Sequence, residues 1–245
     1  MLTPSTLDYA QNYASLGMRV FPLHYVNVHG SCSCGGPNIN PKCKPAKHPF
    51  YRLTPHGHLD ASDDPEKLRE WFDGKPYNIG LATGLSSGIF VLDRDDKDGG
   101  HLSLERLEAT NSKLPQTLTQ KTGNGAHYVF RMPADTIIRN SVKSIAPGLD
   151  IRGEGGYVVA APSVHQNGNS YTWNCIDFPK WDDIAEAPHW LVNLVTSRKS
   201  KSLPTQLTNQ PATSPGTFIA PEKVKDGEGQ FSATQDSCAV KAWTK

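Results

Sequence analysis

Gly88-Ile89-Phe90-Val91-Leu92-Asp93-Arg94-Asp95-Asp96 is an apolar run of strand length that ends in an acid–x–acid pair. Strand side chains alternate between faces, so Asp93 and Asp95 point to the same side. Two carboxylates on one face repel each other unless a cation lies between them. A hard divalent ion such as Mg2+ is the natural partner, because it takes one or two carboxylates and completes its shell with substrate phosphates. A solvated turn after a strand presents the same letters, since Asp and Gly are abundant there, so the pair needs support from elsewhere in the chain.

Two later segments supply it. Lys121-Thr122-Gly123-Asn124-Gly125-Ala126-His127-Tyr128-Val129-Phe130 is a glycine-rich turn that opens into a strand with His127 at its start. Such turns offer backbone N–H groups to anions, and a histidine there can donate to a phosphate; a satisfied strand-edge histidine is the plainer alternative. Gly148-Leu149-Asp150-Ile151-Arg152-Gly153-Glu154-Gly155-Gly156-Tyr157 places a third acid two residues before an arginine. Asp150 could complete a metal site, and the planar fork of Arg152 suits a triphosphate. Three acids, a histidine, an arginine and two glycine turns at strand ends are hard to account for by packing alone.

Around these motifs the pattern mixes helices and strands. Residues 5–18 predict a helix capped by Ser5 or Thr6 and ended by Gly17, and 19–24 a short strand. Asp63-Asp64-Pro65-Glu66 opens a second helix with Trp71 and Phe72 toward the core. Strands are expected at 79–82, 89–92, 127–131 and 157–161, and helices at 100–111 and near 190–195. The result is an α+β sandwich. Tyr171 and Trp173 read as one buried strand face, with base stacking as the rival use. After Thr196 the composition turns to Ser, Thr, Pro, Gln and Lys. Residues 196–221 are therefore expected to be a disordered linker and 222–245 a disordered or truncated tail, so the globular unit is 1–195.

Five cysteines are an odd number, and three crowd together as Cys32-Ser33-Cys34 and Cys43, followed by His48. The pattern C-x-C-x8-C-x4-H suits a closed tetrahedral Zn2+ site in an insertion at about 29–50, with His24, His29, His56 and His58 as rivals to His48 for the last ligand. The expected role is structural, tying a loop whose Lys and Arg side chains could reach nucleic acid. Cys175 and Cys238 read as ordinary free thiols.

The order NIGLATG, SGIFVLDRDD, KTGNGAHYVF and GLDIRGEGGYVVAAPSVH resembles the bifunctional primase-polymerase branch of the archaeo-eukaryotic primase superfamily, over roughly residues 6–190. The resemblance puts the family's acid–x–acid motif on Asp93 and Asp95, its small–x–His motif on Gly125-Ala126-His127, and its hydrophobic–Asp motif on Leu149-Asp150. The second motif often has Ser where Gly125 stands, and Asp96 adds a further acid beside the pair. The fold implied is an RRM-like antiparallel sheet packed on an N-terminal α/β unit. The chemistry implied is template-dependent nucleotidyl transfer, with Asp93, Asp95 and Asp150 holding two Mg2+ or Mn2+ ions and His127, Arg152, Gly125 and Lys121 binding the nucleotide. DNA template and primer, NTPs or dNTPs, and a replicative helicase are the implied partners. Cys/His insertions occur in other members too.

Composition agrees without deciding anything. The 245 residues are 37% hydrophobic and 20% charged, with a formal net charge of +1, ordinary for a globular protein. No apolar run approaches the roughly 18–20 residues of a membrane span, and the N-terminus lacks the pattern of a secretory signal, so a cytoplasmic location is expected. A phosphohydrolase or nuclease using the same acids, a zinc-stabilised nucleic-acid-binding module with a dead site, and a nucleotide-sugar transferase are the rival readings.

Overall fold

The computed structural model describes residues 3–175 and 177–197. The expected linker and tail beyond Ser197, and Cys238 within them, lie outside the described residues. The chain opens with α1 (Thr6–Ser15), where Ser5 and Asp8 form a capping box: each side chain accepts from the other's backbone N–H. The helix stops short of the expected residue 18 because Gly17 turns into the left-handed region at φ 74°, which sends Met18 into the core. Next come β1 (Val20–Leu23), the cysteine-bearing loop, and α2 (Pro65–Phe72). In α2, Asp64 caps the first turn and Pro65 occupies its start, where no N–H is needed.

β2 (Asn78–Ala82) pairs antiparallel with β1 on one side and with β8 (Tyr157–Ala160) on the other, giving a three-stranded sheet. The larger sheet has the order β6-β7-β3-β5-β4-β9. It is built from β3 (Ile89–Asp95), β4 (Thr119–Lys121), β5 (Gly125–Arg131), β6 (Ser141–Ala146), β7 (Leu149–Arg152) and β9 (Thr172–Trp173). β10 (Ala185–Glu186) adds in parallel at the far end of β5. Two helices complete the fold, α3 (Gly100–Thr110) and α4 (His189–Thr196). This is the mixed α/β architecture with antiparallel sheets that the sequence predicts.

β3 is apolar on both faces because both are covered. Ile89 and Val91 pack with α1, α2 and the small sheet, while Phe90 and Leu92 pack with Leu104 of α3 and Leu191 of α4. Alternation then carries Asp93 onto the face turned toward the N-terminal unit, and Arg94 onto the opposite face. The apolar contacts end where the acids begin, and a cleft of about 900 Å³ opens there between the two units.

Candidate active site

Strand register assembles the cleft floor. Asp93 stands opposite Asp150 of β7 on one side and His127 of β5 on the other, so the three share one row and one face. Arg152, two residues beyond Asp150, returns to that face. Its Nη2 donates to Asp93 Oδ2 at 3.1 Å and to Asp150 Oδ2 at 2.9 Å. His127 Nε2 lies 3.4 Å from Asp93 Oδ1. Burial pushes the Asp93 carboxyl up, but His127 and Arg152 beside it outweigh that and hold it well below the usual carboxylate range. Asp93 is therefore an anion at working pH.

Asp95 lines the same cleft, and its Oδ1 accepts from the Lys97 N–H at 3.1 Å. Asp96 does not line it; its carboxylate accepts from Arg94 Nη2 at 3.1 Å, and Arg94 also donates to Tyr128 Oη. Asp96 is thus engaged by an arginine from the other face. Asp93, Asp95, Asp150, His127 and Arg152 are all brought together at the cleft.

Two glycines set the spacing. Gly148 has φ 70°, and a Cβ there would run into the Gly100 backbone, so the turn before β7 seats directly on the start of α3 and holds Asp150 in place. At Gly125 a Cβ would meet the carbonyl oxygen of Arg94 on the neighbouring strand. The glycine in place of the serine common in related motifs is thus a condition of this close strand approach. Gly125 itself does not line the cleft. Nor does Lys121: its neighbour Gln120 pairs with His127, so alternation turns Lys121 to the other face, where it is exposed. The lysines that do line the cleft are Lys44 and Lys47. Desolvation lowers the Lys47 pKa, with the Asp93 and Asp95 charges pulling the other way.

Gln120 was not foreseen, because Thr119-Gln120-Lys121 carries no apolar alternation to mark a strand. Its side chain is fully buried. Oε1 accepts from the Ala161 N–H at 2.6 Å, while Nε2 donates to the Val159 carbonyl at 2.8 Å and faces His127 Nδ1 at 2.9 Å. Only one amide orientation satisfies both backbone partners, so a donor faces Nδ1. The neutral His127 ring must then carry its proton on Nε2, aimed at Asp93 and the cleft. Tyr171 lies behind the ring at 6.2 Å between centroids and is buried, as the core reading of the Tyr171/Trp173 pair expects. Trp173 Nε1 donates to Tyr13 Oη at 2.7 Å.

The ligand atoms of Cys32, Cys34, Cys43 and His48 all lie within 4.8 Å of one another. His48 Nδ1 faces the Lys44 carbonyl at 2.8 Å, which fixes the proton there and leaves Nε2 buried without a partner and free to ligate. The Cys34 and Cys43 sulfurs are 3.3 Å apart. Burial and the neighbouring thiols push Cys43 up to about 12, a crowding that a bound cation would relieve by taking thiolates. The donor set therefore fits a metal ion. Between the ligands, Ala46 holds φ 58°, rare for a residue with a Cβ, and its contacts impose that conformation. Its N–H points to Cys32 Sγ at 3.4 Å, and its carbonyl accepts from the buried Asn78 side chain at 3.0 Å. Tyr157 Oη donates to the Lys47 carbonyl at 3.0 Å. The cluster loop is thereby fastened to β2 and β8, with Lys44 and Lys47 over the acids.

Taken together, a mixed α/β domain carries three acids, a histidine and an arginine at the open end of an antiparallel sheet, a donor set able to hold divalent cations beside a phosphate-binding arginine. The sequence model of the family described as bifunctional DNA primase/polymerase, N-terminal, matches residues 10–190, and the chain belongs to that family of metal-dependent nucleotidyltransferases acting on nucleic acid and nucleotides. No curated protein matches the chain by sequence. Among the described residues no helix is long and apolar enough to cross a membrane.

Proposed function

We propose that this chain is a template-dependent DNA primase-polymerase that extends a 3′-hydroxyl with nucleoside triphosphates. The observation that carries the reading is the convergence of Asp93, Asp95 and Asp150 on one cleft with Arg152 and His127 beside them. The three carboxylates would hold two Mg2+ or Mn2+ ions, which when bound acidify the attacking hydroxyl and neutralise the triphosphate. In the reaction the 3′-oxygen bonds to the α-phosphorus, the α–β phosphoanhydride bond breaks, and pyrophosphate leaves.

The protein's part is position and charge. Arg152, which here spans Asp93 and Asp150, is in reach of a triphosphate once cations take over the carboxylates. His127 presents an Nε2–H to the phosphates because Gln120 occupies its other nitrogen. Lys47 takes the phosphate-facing place that the sequence alone gives to Lys121. The larger sheet is read as the RRM-like core. The Cys32–Cys34–Cys43–His48 cluster is read as a structural Zn2+ site, since all four ligands come from protein and none leaves room for water. Double-stranded product and a helicase partner follow from the family reading.

The test is incubation with a labelled primer on template, dNTPs or NTPs, and Mg2+ or Mn2+, with an unprimed template in parallel. Extension of the primer or synthesis on the unprimed strand is the expected result. Shortening of the labelled DNA instead would assign the acids to a nuclease, and binding without turnover would assign the fold to a nucleic-acid-binding module.

A further inference from the structure

A second concavity, of about 510 Å³, shares no lining residue with the acid cleft and has walls from His24, Tyr25, Phe50, Tyr51, Arg52 and Tyr77, beside Cys34 of the cluster. Its aromatic rings support one another: Phe50 and Tyr77 are tilted at 4.6 Å between centroids, His24 and Phe50 are tilted at 4.8 Å, and Tyr25 and Tyr77 meet edge to face at 6.0 Å. Tyr51 is 57% exposed and is the one aromatic among the exposed large hydrophobic side chains described. Arg52 is exposed and makes no ion pair or hydrogen bond through its side chain among the described residues. An aromatic wall with a free guanidinium at its rim is a poor surface to leave bare in water and a good one for a base and its phosphate.

The charge of the surrounding segment points the same way. Residues 24–58 contain Lys42, Lys44, Lys47 and Arg52 and no Asp or Glu, in a chain whose formal net charge is only +1. Positive charge is thus gathered on one loop. That loop also joins the two concavities: Lys44 and Lys47 line the acid cleft, and Phe50, Tyr51 and Arg52 line the groove. Tyr157, which lines the cleft, donates to the Lys47 carbonyl at 3.0 Å, three residues before Phe50 of the groove, so one short stretch of the loop connects the two concavities. A strand leaving the cleft along this loop meets cations first and ring faces next.

We infer that the groove formed by His24, Tyr25, Phe50, Tyr51, Arg52 and Tyr77 binds unpaired single-stranded DNA, stacking a template base on Tyr51 while Arg52 takes an adjacent phosphate. The inference rests on the primase-polymerase reading for the identity of the strand as template. Duplex DNA is excluded by the same chemistry, because its bases offer no free face to a ring. Stacking on a ring face is open to any base, so this contact does not itself read sequence.

The experiment measures binding of a fluorescent single-stranded oligonucleotide by anisotropy, without nucleotide, against a salt series, using the full chain. Tyr51→Ala should weaken binding about tenfold, and Tyr51→Phe should restore it, since the ring and not the hydroxyl is used. Arg52→Gln should make the slope of log affinity against log salt shallower by about 0.7, the value for one phosphate on a single strand. Both side chains are exposed, and circular dichroism confirms the fold of each variant. Leu102→Ala, exposed on α3, should bind as the parent does. Parent-like binding by Tyr51→Ala and Arg52→Gln overturns the inference, as does equal weakening on duplex DNA. If the parent extends primers in that case, the proposed function stands without this groove. If the parent binds single strands through Tyr51 yet extends nothing, the groove stands and the proposed function falls.

Discussion

Replacing Gln120 by Met keeps the length and volume of the side chain and removes every hydrogen bond it makes. Three buried groups lose their partner: the Ala161 N–H, the Val159 carbonyl and His127 Nδ1. A buried polar group left unmet costs about 1–3 kcal/mol, and little cavity term arises from a swap of similar volume. Water that enters from the adjoining cleft offsets part of this. The expected loss is about 3 kcal/mol, or roughly 6–12 °C in melting temperature for a domain of this size. The functional loss has a different origin. Without the amide, the neutral His127 ring is free to carry its proton on either nitrogen and to turn over, so the donor toward the phosphates is present only part of the time. Loss of a group that orients a histidine in this way costs on the order of tenfold to a hundredfold. The change should fall chiefly on the KM for the incoming nucleotide, which a merely structural role would leave alone. Steady-state primer extension separates KM from kcat. Nitrogen NMR of histidine-labelled protein reads the tautomer directly, with Nδ1 as the bare nitrogen in the parent and a mixture in the variant. A Gln120→Met protein that melts lower but keeps the parent's nucleotide KM and a single His127 tautomer would refute the reasoning.

Further outcomes follow from the same geometry. Asp93→Ala, Asp95→Ala and Asp150→Ala should each lower primer extension by more than about a hundredfold while circular dichroism stays native, whereas Asp96→Ala should retain it, because Asp96 serves Arg94 instead of the cleft. An inactive Asp96→Ala with active Asp95→Ala would reverse that assignment. Protein purified without chelator should carry close to one zinc per chain by elemental analysis, and chelation should raise amide exchange across 25–58 and weaken priming more than extension. Gly125→Ser should cost roughly 1–3 kcal/mol in chemical denaturation, since the added atoms meet the Arg94 carbonyl of the neighbouring strand. Deleting the residues after 196 should leave extension unchanged in the primer assay, as every motif residue lies before that point.

The parts of this site that were legible in the sequence share one property: their meaning is local. Asp93 and Asp95 could be placed on one face by alternation alone, and Cys32, Cys34, Cys43 and His48 by spacing. What escaped depends on register between distant strands. Gln120 gains its role only because Thr119–Lys121 pairs with 126–128 and because Val159 and Ala161 arrive from elsewhere. The same pairing turns Lys121 away from the cleft, a result that no reading of the single strand supplies. Asn78, in the NIGLATG motif, turns out to clamp the cluster loop through the Ala46 carbonyl. The expected helices fell within a few residues of their observed ends. Short polar strands such as β4 and β10 left no trace, because their pairing and not their composition makes them strands.

The middle position of β2 in its sheet bears on how the chain is made. Its partner β1 precedes it, but its other partner, β8, comes from residues 157–160. β3 likewise waits for β5 and β7 on its two sides. On the ribosome, therefore, neither unit can close until about residue 160 has emerged, and the apolar Asn78–Ala82 strand stays open along one edge until then. The two units are interleaved along the chain, so the N-terminal unit with its Cys/His cluster cannot be cut out and expressed alone. A nascent or truncated product that stops before Tyr157 would present that bare edge to its neighbours, and aggregation of such fragments is the expected fate.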